Sequence, residues 1–312
     1  MSGAVVTLGT FDGVHRGHQG VLAEVVRRAR TEKLKSVVVT FDPHPLAVVN
    51  PAAAPKLLTL PDEKEELVRA AGVTEFVVMP FTPAVAQLDA EAFVQRLCEQ
   101  YALRELVMGF DHGFGRGRGG DVELVERLGR SRNFGVAVVD AVREDGQPIS
   151  STLIRAALAH GDLDAAARWL GRRYSIRGRV VRGAGRGRTI GIPTINLDSP
   201  DARKLLPPDG VYAVRVRILE PGAGSRGENP RIPAPDSRLL GGMMNQGPRP
   251  TFGEQTRTLE IHLFDFDGEL YGETVNVEWV RRLRDVQTFA SREALVTQLE
   301  RDRQAARASL NR

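Results

Sequence analysis

The chain has 312 residues, 42% of them hydrophobic and 26% charged, with a net charge of +4; that length predicts two domains with their own cores. No apolar run is long enough to span a bilayer and no basic-then-apolar leader is present, so the expectation is a cytoplasmic protein without a membrane partner. The single cysteine, Cys98, excludes an internal disulfide framework, and its helical context AEAFVQRLCEQYA reads as a small buried hydrophobe. Charge is unevenly spread: residues 1–160 carry a net −2 and the rest +6. That asymmetry fits either a nucleic-acid surface or sites for phosphorylated small molecules.

In chain order, apolar runs at 4–11, 35–42, 74–81, 105–110 and 135–142 read as strands covered on both faces, because they are apolar throughout rather than alternating. Helical patterns separate them. Val21, Leu22, Val25, Val26 and Ala29 fall on one stripe, and PDEKEELVRAAG has proline and acids in its first turn and Gly72 at its end. Strand and helix in alternation predict a parallel sheet wrapped by helices, with ligands at the carboxyl ends of the strands.

The stretch GTFDGVHRGHQG, residues 9–20, is then the loop after the first strand, running into a helix that starts near His18. His15 and His18 turn to the same side of that helix start, where free backbone N–H groups attract anions. A zinc site needs more ligands than this pair, and a phosphate does not; for the pair taken alone, a polar turn with incidental histidines is the competing reading. Farther on, Gly115, Gly117 and Gly120 spell G-x-G-x-x-G before a helix, with Asp140 twenty residues beyond. This outlines a nicotinamide-dinucleotide site, but FDHGF separates Gly115 from its strand, whereas that fingerprint opens directly on the strand end.

Near Tyr174 the period changes. GVYAVRVRIL interleaves Val214, Val216 and Ile218 with Arg215 and Arg217, and ETVNVEWV puts Val275, Val277 and Trp279 on one face, as half-exposed antiparallel strands do. Several such strands predict a small barrel, followed by a helix with Ser291 as N-cap. RGAGRGRTIGIPTINL imitates a P-loop at Gly183, Gly187, Arg188 and Thr189, but Ile190, Pro193 and the β-branched residues after them favour extended chain over the helix a P-loop requires. The basic segment RGRVVRGAGRGR would suit RNA on a barrel, yet it contains no aromatic residue for base stacking. Residues 220–238, rich in Pro and Gly, read as a long mobile hairpin insertion without a catalytic role.

The ordered series GTFDGVHRGH, FDPHP, GFDHGFGRGRGGD, ISSTLIR, RGAGRGRTIGIPTINL, GVYAVRV, NQGPRPTFG and LEIHLFDFDGELYG resembles the bifunctional riboflavin kinase/FMN adenylyltransferases, the prokaryotic FAD synthetases, over nearly the whole chain. The resemblance implies a Rossmann-like parallel-sheet nucleotidyltransferase domain at 1–173 and an antiparallel β-barrel riboflavin kinase domain with a C-terminal helix at 174–312. It implies phosphorylation of riboflavin to FMN and adenylylation of FMN to FAD, each using ATP with Mg²⁺ or another divalent cation. In the first domain it implies that Gly9, Phe11, His15, His18, Asp111, Ser151, Thr152 and Arg155 hold ATP, with His15, His18 and Arg155 stabilising the transition state. Pro43 and His44 would lie near the flavin. In the second it implies that Gly183, Gly187, Arg188, Gly191, Thr194, Asn196 and Glu260 bind ATP or flavin. Thr194 and Asn196, two apart on an extended strand and so on one face, would hold the metal, and Glu260 would be the general base. Ser151 could also be a helix N-cap. Thr10, His112, Gly113 and Ile195 depart from the family pattern, and the looser GGMMNQGPRP leaves Asn245 without an assigned role.

Overall fold

A computed structural model describes residues 3–110, 113–183, 192–198, 200–219, 239–248 and 257–311. Its contacts divide the chain into two compact units, Met1–Leu153 and Ile154–Arg312.

In the first unit the strands are β1 (Ala4–Leu8), β2 (Lys35–Asp42), β3 (Glu75–Pro80), β4 (Leu103–Gly109) and β5 (Gly135–Val139), with a short hairpin of β6 (Arg143–Glu144) and β7 (Gln147–Pro148). The helices are α1 (Arg16–Thr31), α2 (Pro45–Val49), α3 (Pro61–Ala70), α4 (Pro83–Ala86), α5 (Ala90–Tyr101) and α6 (Val122–Arg132); α7 (Ser151–Ala159) begins at its end. The first five strands form one parallel sheet in the order β3-β2-β1-β4-β5. Alternate residues of β1 feed two cores. Ala4, Val6 and Leu8 pack with Phe93, Val94 and Leu97 of α5 and Val125 and Leu128 of α6. Val5 packs on the other face with Leu22, Val25 and Val26 of α1 and Val68 of α3. Burial on both faces is why β1, β2 and the middle of β4 carry no polar alternation; the edge strands β3 and β5, expected to be covered on both faces, instead expose Val78 and Val138. Strand order reverses at β1, so the crevice beyond β1 and β4 is the switch point where such sheets bind ligands.

The second unit holds α8 (Leu163–Leu170), β8 (Ser175–Val181), β9 (Ile195–Leu197), β10 (Gly210–Leu219), β11 (Leu239–Pro248), β12 (Arg257–Leu263), β13 (Thr274–Arg284) and α9 (Arg292–Leu310). The strands close as β10-β11-β12-β9-β8-β13. Tyr212, Val214, Val216, Met244, Leu259, Ile261, Val275, Val277 and Trp279 fill the interior, each at most 1% exposed. The polar side chain of Gln246 enters that core: it donates to Pro207 O at 2.6 Å and accepts from Trp279 Nε1 at 3.2 Å, so its amide is satisfied at both ends. Ser291 caps α9 by accepting from Ala294 N at 3.2 Å. The helix covers an outer barrel patch formed by Ala213, Met243, Phe264 and Val280. Arg284 clamps it through hydrogen bonds to both oxygens of the buried Asp302 at 2.7–3.0 Å.

Several local expectations change. Helix α1 starts at Arg16, and His15 itself is the N-cap. Cys98 is half-buried rather than buried. Ser150, not Ser151, caps α7, accepting from Leu153 N at 3.2 Å. The nicotinamide-type glycines have a packing cause. Gly115 and Gly117 take φ of 74° and 66°, and a Cβ on Gly115 would lie 2.7 Å from Ala90 N, so the loop turns tightly against the start of α5. Residues 220–238 lie outside the described residues; they join β10 to its antiparallel neighbour β11.

Candidate functional site

In the first unit the loop from Gly9 to His15 occupies the switch point. Phe11 and Val14 have φ of 45° and 39°, a strained region for bulky side chains. Both side chains are sunk into the core at 3% and 2% exposure, which holds the backbone there. Asp12, 1% exposed, accepts from Leu58 N and Thr59 N at 3.0 Å, while Thr59 Oγ1 accepts from Gly13 N at 3.0 Å. Ser151 Oγ donates to Asp12 O at 2.9 Å, bringing the start of α7 to this loop.

His15 Nδ1 accepts from His18 N at 3.4 Å, so its neutral tautomer carries the proton on Nε2, as a donor. The two imidazoles stack with centroids 3.7 Å apart, and Phe11 meets His18 edge-on at 5.2 Å. Gly17 allows this, since a Cβ there would sit 3.2 Å from the His15 ring. A donor nitrogen, a second imidazole and the open N–H groups of a 16-residue helix thus converge where an anion is favoured. Pro43 follows a cis peptide bond from Asp42, and His44 caps α2 by accepting from Leu46 N at 3.2 Å. Thr152 and Arg155 lie on α7, one and four residues beyond Ser151.

In the second unit three polar residues stand in register across adjacent strands: Asn196 of β9 opposite Glu260 of β12, and Glu260 opposite Asn245 of β11. Directly opposed residues project from the same face. On β12 Glu260 alternates with Leu259 and Ile261, both fully buried in the barrel interior, so this row lies on the barrel's outer face. Asn196 is only 4% exposed. Gly183 lies against it, and a Cβ there would come 2.1 Å from Asn196 Nδ2. Thr194 directly precedes β9 and lines a cavity of about 240 Å³ with Ile195, Ile261, Leu263, Leu270 and Tyr271. His262, two residues beyond Glu260, holds the segment before Thr194: its Nδ1 lies 2.8 Å from Pro193 O, and since a carbonyl only accepts, that nitrogen carries the proton.

Among the described residues no group of three or more His, Cys, Asp or Glu could cage a metal. Thr194 and Asn196 instead offer hydroxyl and amide oxygens, hard donors suited to a cation held mainly by substrate phosphates.

The FAD synthetase family profile matches residues 1–153, and the riboflavin kinase profile matches residues 170–310. A bifunctional riboflavin kinase/FMN adenylyltransferase of Pseudomonas fluorescens is 38% identical over 308 residues, covering 98% of this chain and 93% of its own. The protein of that description in Escherichia coli K12 is 37% identical over 306 residues, covering 98% and 92%. The chain belongs to the bifunctional riboflavin kinase/FMN adenylyltransferase family. A solved chain from Streptococcus pneumoniae, described as a macrolide-efflux protein, matches with a TM-score of 0.83 at 34% identity over 98% of this chain and 94% of that one.

Against this family's pattern, Asp111, Gly187, Arg188 and Gly191 lie outside the described residues. The departure at Thr10 has a structural context: its backbone carbonyl, rather than its side chain, accepts from Thr40 Oγ1 at 3.1 Å. Sequence reasoning missed Lys64 and His262. Lys64 sits in an acidic run that reads as a solvated helix face, and only its spacing of four from the buried Val68 signals an inward position. His262 signals itself only by sharing Glu260's strand face.

Proposed function

We infer that this chain makes FMN from riboflavin and FAD from FMN, by two ATP-dependent transfers in separate sites. The observation that carries this reading is the pairing of two unlike phosphate-handling constellations, one at a parallel-sheet switch point and one on a closed barrel, in a chain whose relatives over 98% of its length are described as bifunctional. We assign adenylyl transfer to residues 1–173 and the kinase reaction to 174–312.

In the kinase site Glu260 takes the proton from the riboflavin 5′-hydroxyl, whose oxygen attacks the γ-phosphorus of ATP as ADP leaves. Its place in register with Asn196 supports this role, because base and phosphate-holding residue then share one face. Thr194 and Asn196 would hold Mg²⁺, which supplies charge neutralisation along the ATP phosphates. The cavity beside Thr194, lined by Ile195, Ile261, Leu263 and Leu270 but also by Asp267 and Glu269, suits a substrate that carries both apolar and polar groups.

In the adenylyltransferase site an FMN phosphate oxygen attacks the α-phosphorus of ATP and pyrophosphate leaves. Such a reaction needs alignment and charge stabilisation more than a nucleophilic side chain. His15 donates from Nε2, His18 stacks beside it, and Ser151, Thr152 and Arg155 hold the triphosphate, Arg155 offsetting charge on the leaving pyrophosphate. Phe11 and Gly9 shape the loop, Asp111 contacts the nucleotide, and Pro43 and His44 face the flavin. A cytoplasmic setting, where ATP is abundant, fits this chemistry. Among the described residues no helix is long and apolar enough to cross a membrane. Incubation of the purified protein with riboflavin and Mg-ATP, with chromatography of the products, should show FMN and then FAD. Formation of neither sinks the reading.

A further inference from the structure

Lys64 is 7% exposed, on the inner face of α3 one turn before the fully buried Val68. Lysine is rarely buried without a partner, because its charge is costly to remove from water. Here Nζ lies 3.4 Å from Thr40 Oγ1, and the Thr40 hydroxyl passes the link on to Thr10 O at 3.1 Å. Two carboxylates face the ammonium, Asp12 from the loop after β1 and Asp42 from the end of β2; burial lowers the Lys64 pKa and these two oppose the shift. The segments joined in this way are the two that matter for adenylyl transfer. Thr10 and Asp12 lead into His15, and Asp42 opens the Pro43–His44 turn.

We propose that Lys64 is a positioning residue for adenylyl transfer, its buried ammonium tying the His15 loop to the Pro43–His44 turn and offsetting the carboxylates of Asp12 and Asp42 beneath a site that must bind two anions. An aliphatic side chain of the same volume would fill the space at lower desolvation cost. It would also remove a positive charge that faces the carboxylates of Asp12 and Asp42 beneath the proposed site. One unbalanced charge in a medium of intermediate dielectric corresponds to about a tenfold change in affinity.

The inference rests on the assignment of adenylyl transfer to this part of the chain, and the test separates the two. Full-length wild type, Lys64→Met, Lys64→Arg and Thr40→Val proteins are assayed for FAD formation from FMN, with KM for FMN and ATP, and for riboflavin kinase activity. Lys64→Met is expected to raise both KM values about tenfold, Lys64→Arg to restore them to within about threefold, and Thr40→Val to raise them by a smaller factor. Kinase activity is expected to stay unchanged in all three, reporting an intact second unit. Lower kcat with unchanged KM in Lys64→Met means only fewer folded molecules and overturns the proposal. Should Lys64→Met fail to fold, unchanged KM in Thr40→Val overturns it. Absence of FAD with wild type refutes the assignment itself.

Discussion

Gly183→Ala adds a single methyl group at the proposed kinase site. That carbon would sit 2.1 Å from Asn196 Nδ2, 2.6 Å from Cγ and 2.9 Å from Oδ1, where ordinary contact begins at 3.4 Å. The amide must therefore retreat by about 1.3 Å, and with Asn196 only 4% exposed it has little room to do so. Overpacking of this kind costs about 1–3 kcal/mol of stability. Displacing a substrate-holding group by about 1 Å can cost about 10²-fold in rate. Riboflavin kinase kcat/KM should accordingly fall about 10²-fold, while conversion of added FMN to FAD stays at the wild-type rate. The stability cost should vanish when Asn196→Ala is combined with it, because the truncated side chain leaves space for the new methyl. Kinase activity within about threefold of wild type, or an equal stability cost with and without Asn196→Ala, would refute the reasoning.

Glu260→Gln keeps the shape of the side chain and removes its basicity, so FMN formation should fall about 10³-fold with FAD formation from FMN intact, read by chromatography. His18→Ala should do the reverse, lowering FAD formation about 10²-fold and sparing the kinase step; equal loss of both activities in a folded protein would contradict separate sites. Glu24, held to a pKa of about 2 chiefly by its hydrogen bond to Arg27, with burial opposing and Arg28 adding, has a folded pKa below its unfolded one. Its stabilisation is present above about pH 4.5 and is lost as pH falls toward 2. Glu24→Gln should lower stability at pH 7 by about 0.5–1 kcal/mol, since the pair is solvent-screened. Thermal unfolding should show that difference disappearing near about pH 2.

The layers of the fold were legible in the sequence because burial writes itself as period. The apolar runs of β1, β2 and β4 became doubly covered strands, those of β3 and β5 became edge strands that expose Val78 and Val138, and the alternation of Val275, Val277 and Trp279 became barrel interior. The placement of the loop bearing His15 and His18 between a strand and a helix was equally readable, since glycines punctuate such junctions. What stayed hidden depends on contacts distant in sequence. Nothing local to Gly183 says that it must clear Asn196, or that Asn245, Glu260 and Asn196 stand in one row, because strand register follows from the closed barrel. Lys64 was hidden for the opposite reason: four neighbouring charges mask the one that turns inward.

The central claim is that two different bonds of ATP are used by one chain. Supplying riboflavin with ATP labelled at the γ-phosphate or at the α-phosphate tests it directly. The γ label should appear in both FMN and FAD, and the α label in FAD alone. Label from α-ATP in FMN, or no label in either flavin, would contradict the account.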